Sequence, residues 1–347
     1  MPTRRVFVAG VLMLMALPLI AACSPGQSDE EIEAAWAASA HADAESRSFT
    51  LWNDSDPPEI PERCAKCHST HGYRDFLGVD GATPGQVDMP APVGSTIECE
   101  ACHNEAAGPK DSAVMPSGVE LIGLRPSANC MECHQGRAWG GSVTEAAGSG
   151  DSDKVDSELS LPNIHNNPAG PTQYGAEALG GYEYSGKSYR GRYDHVVEFD
   201  SCTACHDAHS LKVKVETCSA CHLGVRTNLD LAKIRTGNVD YDGDGDIAEG
   251  IAGEIETMQA RLLLAMQVYA AQTEGAAPLE YEGGFVDDQG ESYSTWTPRL
   301  LRSAYNYRYS TIDPGGYAHH GEYLIQLLFD SLEGIGGVTA GLTRPGG

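Results

Sequence analysis

The sequence predicts a mainly α-helical protein with extensive irregular loops, closed towards its C-terminus by a cap of helices. Glycine (40 residues) and proline (19 residues) are frequent and aromatic residues make up only 7% of the chain, so the polypeptide has little bulk of its own to fill a core. A CxxCH pattern occurs five times between residues 64 and 222. From about residue 226 onward, apolar residues recur at helical spacing.

The helical period in the C-terminal part predicts two helices, with a third near Trp296 to Tyr309. The residues that carry the period are Ile255, Met258, Leu262, Met266 and Tyr269 in one helix, and Leu324, Leu328 and Leu332 in another. A short helix is also expected at Glu30 to Trp36. The stretch from Gly140 to Ser160 is rich in Gly, Ser, Asp and Glu and predicts a surface loop.

Ten of the eleven cysteines form CxxC pairs that are each followed directly by histidine, which is the spacing of covalent haem attachment. Zinc binding would leave the repeated histidine unexplained. The predicted thioether cysteines are Cys64, Cys67, Cys99, Cys102, Cys130, Cys133, Cys202, Cys205, Cys218 and Cys221, and the predicted proximal iron ligands are His68, His103, His134, His206 and His222. Five covalent haems would supply the missing core.

A second iron ligand for each haem is sought among the seven remaining histidines. The candidates are His71, His165, His195, His209 and His319, with His320 as the fallback for His319, while His41 is expected to be exposed. A haem with two strong protein ligands transfers electrons, whereas an open iron position can bind a substrate. Methionine ligation, for example by Met89 or Met115, is the minority alternative.

The N-terminus has the layout of a secretory signal, with Arg4 and Arg5 ahead of an apolar run that ends at Ala22. Cys23 follows small residues as in the lipobox of bacterial lipoproteins, which predicts lipidation at Cys23. A soluble periplasmic product and a twin-arginine export signal are the alternatives. Ser24 does not look like an inner-membrane retention signal, so the outer membrane is favoured if there is one.

Carboxylates alternate along Asp240, Asp242, Asp244 and Asp246, as in a calcium-binding EF-type loop. Ile251 occupies the position where that loop carries a bidentate glutamate, although Glu249 and Glu254 are close enough to substitute. The predicted calcium ligands are Asp240, Asp242, Asp244, Asp246 and Glu249. The alternative is an acidic, glycine-rich turn without metal.

Four segments follow: a signal peptide (1–22), the lipidated cysteine with a tether (23–60), a pentahaem region (61–225) and a C-terminal helical region with the acidic loop (226–347). A formal charge of −26 disfavours nucleic acid and anionic lipid as partners. The expected partners are redox proteins of a membrane electron-transfer chain, with a cytochrome complex or oligomer as a further possibility.

These motifs resemble those of the multihaem c-type cytochromes of bacterial respiratory and extracellular electron transfer, the group with doubled CxxCH motifs. The resemblance covers about residues 60–335 and includes the stretch from Tyr193 to His222 and the stretch from Trp296 to His319. It implies an electron carrier with stacked bis-histidine haems and no enzyme activity. The signal and lipobox predict in addition that the chain is exported and lipid-anchored on the periplasmic or cell-surface face of a membrane. The alternative function is a multihaem reductase of a small oxyanion such as nitrite. The CxxCK motif of pentahaem nitrite reductases is missing from the sequence.

Overall fold

A computed structural model describes residues 27–148, 152–165, 167–235 and 237–346. The described chain is mainly helical, with a few two- or three-residue strands and long irregular connections, which confirms the predicted fold class. The signal peptide and Cys23 lie outside the described residues, so both remain predictions. In the described part of the chain, no helix is long and apolar enough to cross a membrane.

The described helices before residue 232 are short, and none of them is longer than nine residues. They are α1 (Asp29–Ala37), α2 (Arg47–Thr50), α3 (Glu62–His68), α4 (Thr70–Leu77), α5 (Cys99–Cys102), α6 (Ala128–Cys133), α7 (Gly140–Ala147), α8 (Ala169–Tyr174), α9 (Cys202–Cys205), α10 (Val215–Ser219) and α11 (Asn228–Leu231). A 3₁₀ turn, Gly175–Glu177, follows α8.

Three antiparallel two-stranded ladders support the connections between helices. They pair β1 (Glu59–Ile60) with β2 (Ala91–Pro92), β3 (Ser112–Val114) with β4 (Glu120–Ile122), and β5 (Glu280–Tyr281) with β6 (Phe285–Val286).

The C-terminal region contains the three predicted helices, α12 (Ile251–Gln272), α13 (Pro298–Thr311) and α14 (Gly316–Gly334). Thr297 caps α13, because its side chain accepts a hydrogen bond from the amide of Leu300 and Pro298 occupies the first turn. The helices pack their apolar faces together, with Met258, Leu262 and Leu328 fully buried. A kink interrupts α14 at His320, whose φ and ψ are not helical.

The predicted surface loop at Gly140 to Ser160 is wrong for its first half, where α7 forms. Val143 on this helix is fully buried in the C-terminal core. Gly140 lies so close to the carbonyl of Gly181 that a Cβ would be 2.2 Å from that oxygen. The buried contacts of α7 are made by small residues and by one valine. The sequence therefore shows no apolar period here, and it predicts a loop in place of the helix.

The segment predicted as a tether packs against the haem-motif region. The indole Nε1 of Trp36 in α1 donates a hydrogen bond to the carbonyl of Ile97 (2.9 Å). The amide of Ile97 in turn donates to the carbonyl of His41 (3.1 Å). These bonds bring His41 into the region that carries the CxxCH motifs, where it is half-buried.

Candidate haem sites and acidic loop

Each CxxC pair lies in a helical turn or at the end of one, and in the motifs that end in His103, His134, His206 and His222 the amide of the histidine donates to the carbonyl of the first cysteine. The distances are 2.8 Å for His103, 2.9 Å for His134, 2.8 Å for His206 and 2.9 Å for His222. The first motif along the chain, which ends in His68, lies within α3. This closed turn places both sulfurs and the imidazole together, as covalent haem attachment requires. None of the ten motif cysteines forms a disulfide with another described residue.

Every motif histidine faces one histidine from elsewhere in the chain. We number the sites by their motifs, and the distances join ring centroids: site 1, His68 and His165 (5.7 Å); site 2, His103 and His209 (6.1 Å); site 3, His134 and His41 (6.4 Å); site 4, His206 and His319 (6.4 Å); site 5, His222 and His195 (6.0 Å). Two metal–imidazole bonds of about 2 Å each, with a ring radius of roughly 1 Å on either side, require about 6 Å between centroids. The pairs therefore fit one iron between each pair of rings.

Four of the predicted second ligands, His165, His195, His209 and His319, face a motif histidine. His71 does not: its side chain is exposed at the start of α4, and among the described residues it belongs to none of the five pairs. His41 occupies the corresponding place at site 3. The sequence offered no signal for His41, because its partner His134 is distant along the chain.

His320, the fallback for His319, is buried and faces no motif histidine. Its Nε2 is 2.9 Å from the carbonyl oxygen of Gly191, and its Nδ1 accepts a hydrogen bond from the amide of Tyr323 (3.3 Å). Both ring nitrogens are thus used inside the protein. His320 therefore connects α14 to the loop before site 5.

Several of the paired imidazoles are held in the neutral form that binds metal. Burial, reinforced by the nearby His134, lowers the pKa of His41 to about 4. Burial also lowers the pKa of His165 and His195. His165 adopts a positive φ of 69°, and its amide donates to the side chain of Asn163 (2.9 Å), so a local turn fixes the backbone that presents its ring.

Sites 1 and 3 are in direct contact. The sulfur of Cys67 lies 3.8 Å from the carbonyl of Glu132, and the sulfur of Cys133 lies 3.8 Å from the carbonyl of Lys66. The Glu132 carboxylate is buried between Lys66 (3.0 Å) and Lys110 (2.8 Å), so its charge is compensated.

Sites 3, 4 and 5 continue the series. The amide of Cys202 donates to the hydroxyl of Ser127, next to α6 (2.9 Å). The amide of Lys214 donates to the carbonyl of Cys205 (2.8 Å), and the sulfur of Cys218 lies 3.8 Å from the carbonyl of Lys214. The sites therefore follow one another in the order 1, 3, 4, 5.

Site 2 lies beside this row. Tyr73 donates to the Oδ1 of Asn129, next to motif 3 (2.8 Å), and Asn129 donates to the carbonyl of Ala107, just after motif 2 (3.1 Å). The second histidine of site 2, His209, comes from the loop directly after motif 4. Site 2 is thus connected to sites 3 and 4.

The acidic loop brings a different set of carboxylates together from the set predicted. Single carboxylate oxygens of Asp242, Glu249 and Glu254 lie within 4.8 Å of one another, and so do those of Asp240, Asp242 and Asp244. The Asp246 side chain instead accepts hydrogen bonds from the amides of Ala248 (2.8 Å) and Glu249 (3.3 Å). Asp246 therefore shapes the loop.

Two members of this cluster are fully buried, Asp242 and Glu254. Oδ2 of Asp242 and Oε1 of Glu249 accept no hydrogen bond among the described residues. Burial and the charges of Asp242, Glu254, Asp244 and Asp246 raise the pKa of Glu249 to about 7. Arg235 compensates part of this charge through a 2.5 Å contact with Oε1 of Glu254.

Comparisons with known proteins give little further information. No protein-family model matches the chain. No curated protein matches it. Among solved structures the chain is similar to the outer cell wall cytochrome OcwA, at 14% identity and a TM-score of 0.46. The match covers 88% of this chain and 50% of OcwA, so the chain spans about half the length of that structure. A likeness this weak does not transfer a fold or a function.

Proposed function

We propose that this chain is a pentahaem c-type cytochrome that carries electrons. The observation that supports the proposal is the one-to-one pairing of the five motif histidines with five histidines from elsewhere. Chance contacts would not leave every motif histidine with exactly one partner. When bound, haem supplies one-electron redox chemistry at its iron.

The chain's own residues would hold each haem through four side chains. Two cysteines of a motif would bond to the porphyrin, and the motif histidine and the histidine that faces it would both bind the iron. Two imidazoles leave the iron without a free position, and this favours an electron carrier over a reductase of nitrite or another small oxyanion. The contacts between sites 1, 3, 4 and 5 support transfer along a row, with site 2 beside it.

The formal charge of −26 favours redox partners with basic surfaces.

The chain is further proposed to be exported and lipid-anchored through Cys23, on the outer membrane if one is present. The support is the lipobox-like sequence before Cys23 together with the use of every other cysteine in a CxxCH motif. A Cys23→Ser precursor should leave the membrane fraction and keep its haems. Continued membrane binding by this variant would contradict the anchor.

The second ligands are tested by two matched variants, His41→Ala and His71→Ala. Low-temperature electron paramagnetic resonance of the oxidised wild-type protein should give low-spin signals for all five haems, indifferent to nitrite, and the reduced protein should not bind carbon monoxide. His41→Ala should convert one haem to a form that binds carbon monoxide, and His71→Ala should behave as wild type. A high-spin haem that binds nitrite in the wild type would favour a reductase.

We also propose that the acidic loop binds one calcium ion, with Asp242, Glu249 and Glu254 as its inner ligands and Asp240 and Asp244 at its outer edge. The support is the buried Oδ2 of Asp242, an atom that has no hydrogen-bond partner among the described residues and belongs to the same cluster. Calorimetric titration of the metal-free protein with calcium should give one binding event that Asp242→Asn weakens. The same substitution at Asp288, which is exposed, is the control. Equal affinity in both variants would refute the site.

A further inference from the structure

The buried Asp313, after α13, pairs with the half-buried His319 near the start of α14. The carboxylate oxygens of Asp313 lie 2.8 and 3.0 Å from Nδ1 of His319, and Asp313 is only 5% exposed. An ionised carboxylate only accepts hydrogen bonds, so Nδ1 carries the proton and donates it. The other ring nitrogen, Nε2, is left to bind metal opposite His206 at site 4.

The turn that holds this pair is shaped around the imidazole ring. The amide of Gly315 donates to Oδ1 of Asp313 (3.1 Å). A Cβ at Gly315 would lie 2.7 Å from Cε1 of His319, so a side chain there would push the ring aside. The backbone of the turn and the Asp313 carboxylate together fix the position of the His319 ring.

No other paired histidine has a carboxylate partner among the described residues. Nδ1 of His68 at site 1 lies 2.8 Å from the carbonyl of Ser48, and Nδ1 of His206 lies 3.3 Å from the carbonyl of Leu211. A backbone carbonyl fixes the direction of a ring without adding a full negative charge. Among the described residues, site 4 therefore differs from the other four sites in having a carboxylate bonded directly to one of its paired imidazoles.

A hydrogen bond from a metal-binding imidazole to a carboxylate increases the electron donation of that imidazole. A better donor stabilises the oxidised iron more than the reduced iron, and a buried charge acts through a low dielectric. We infer that Asp313 is a positioning residue for His319 that gives site 4 the lowest reduction potential of the five. This inference rests on the proposed ligation of haem iron by His206 and His319.

The direct test is Asp313→Asn in the full-length, haem-loaded protein, with spectroelectrochemical titration. Removing the partner of a metal ligand weakens metal binding by at least about tenfold, and a tenfold loss that falls on the oxidised iron alone raises a one-electron midpoint potential by ~59 mV. The lowest of the five midpoint potentials should rise by about that amount, and the other four potentials should remain unchanged. Asp288→Asn, at an exposed carboxylate, controls for the loss of one charge.

Unchanged potentials in Asp313→Asn, with five low-spin haems retained, would overturn the role of Asp313 and leave the ligation scheme intact. Fewer than five low-spin haems in the wild type would instead refute the proposed ligation.

His319→Met provides a second test that does not need Asp313→Asn to fold. A thioether has no N–H group, so this variant keeps an iron ligand but breaks its link to Asp313, and methionine itself raises a haem's potential. The component that moves should be the lowest of the wild-type set. Movement of any other component would show that site 4 does not have the lowest potential.

Discussion

In the part of the chain that the structure describes, the buried apolar residues of the C-terminal helices belong to one continuous cluster of 27 residues, whereas the haem-motif region has clusters of eight and three. The large cluster includes Leu262, Leu300, Leu301 and Tyr305, which are completely buried. The two small ones are centred on Met115 and Ile60. The difference teaches that one part of the chain builds its core from side chains, while the other requires bulk that its side chains do not supply.

The largest expected effect comes from removing the haem of site 3 with Cys130→Ala/Cys133→Ala. Because α6 touches both motif 1 and motif 4, losing this haem should expose the haem-motif region to protease and leave α12, α13 and α14 protected. Limited proteolysis measures the protection of the two regions. Mass spectrometry of the variant should show four haems. Equal protection of both regions would mean that the haem-motif region does not depend on its haems.

Within the C-terminal core, Leu262→Ala should lower the free energy of unfolding by about 2–5 kcal/mol, because it leaves a cavity in packed surroundings. The matched control, Leu264→Ala, lies on the same helix at a side chain that is 61% exposed, and should change stability by less than about 0.5 kcal/mol. Urea denaturation followed by circular dichroism compares the two. Similar losses would argue against a core that depends on side-chain packing.

The acidic loop joins the two regions, and its stability should depend on pH in the absence of calcium. The pKa of Glu249 is raised to about 7 in the folded chain, so between its unfolded pKa and about 7 the folded state binds more protons. The free energy of unfolding is therefore higher at low pH and falls as the pH rises through about 7, by about 2 kcal/mol after solvent screening.

Calcium should reverse that loss, so the rise in melting temperature on adding calcium should be larger at about pH 8 than at about pH 5. Differential scanning calorimetry measures both conditions, with Glu249→Gln as the control that removes the difference. An equal rise at both pH values would contradict the assignment of Glu249 as a ligand.

The smallest effect is expected at the N-terminal segment, from Trp36→Phe. The variant loses the hydrogen bond from Nε1 to the carbonyl of Ile97 and should cost about 1 kcal/mol. Hydrogen exchange of residues 29–50 should become faster. Because His41 lies in this segment, site 3 should also bind carbon monoxide in part. Glu33→Gln, at an exposed position of the same helix, should change neither.

The sequence by itself located the five CxxCH motifs and predicted them as haem sites, because a CxxCH motif is complete within one helical turn. It also determined α12, α13 and α14, whose apolar period is long enough to exclude other structures. It was wrong at α7, where burial of small residues leaves no such period.

Only the tertiary structure decided which histidine faces which motif. His71 lies three residues after His68, yet the start of α4 leaves it exposed, while His41 reaches His134 through bonds between α1 and the chain before motif 2. The carboxylate beside His319 and the carboxylates that meet in the acidic loop were decided in the same way. The physical reason is the same in each case. These partners are brought together by packing between segments of the chain, so no local sequence pattern predicts the contact.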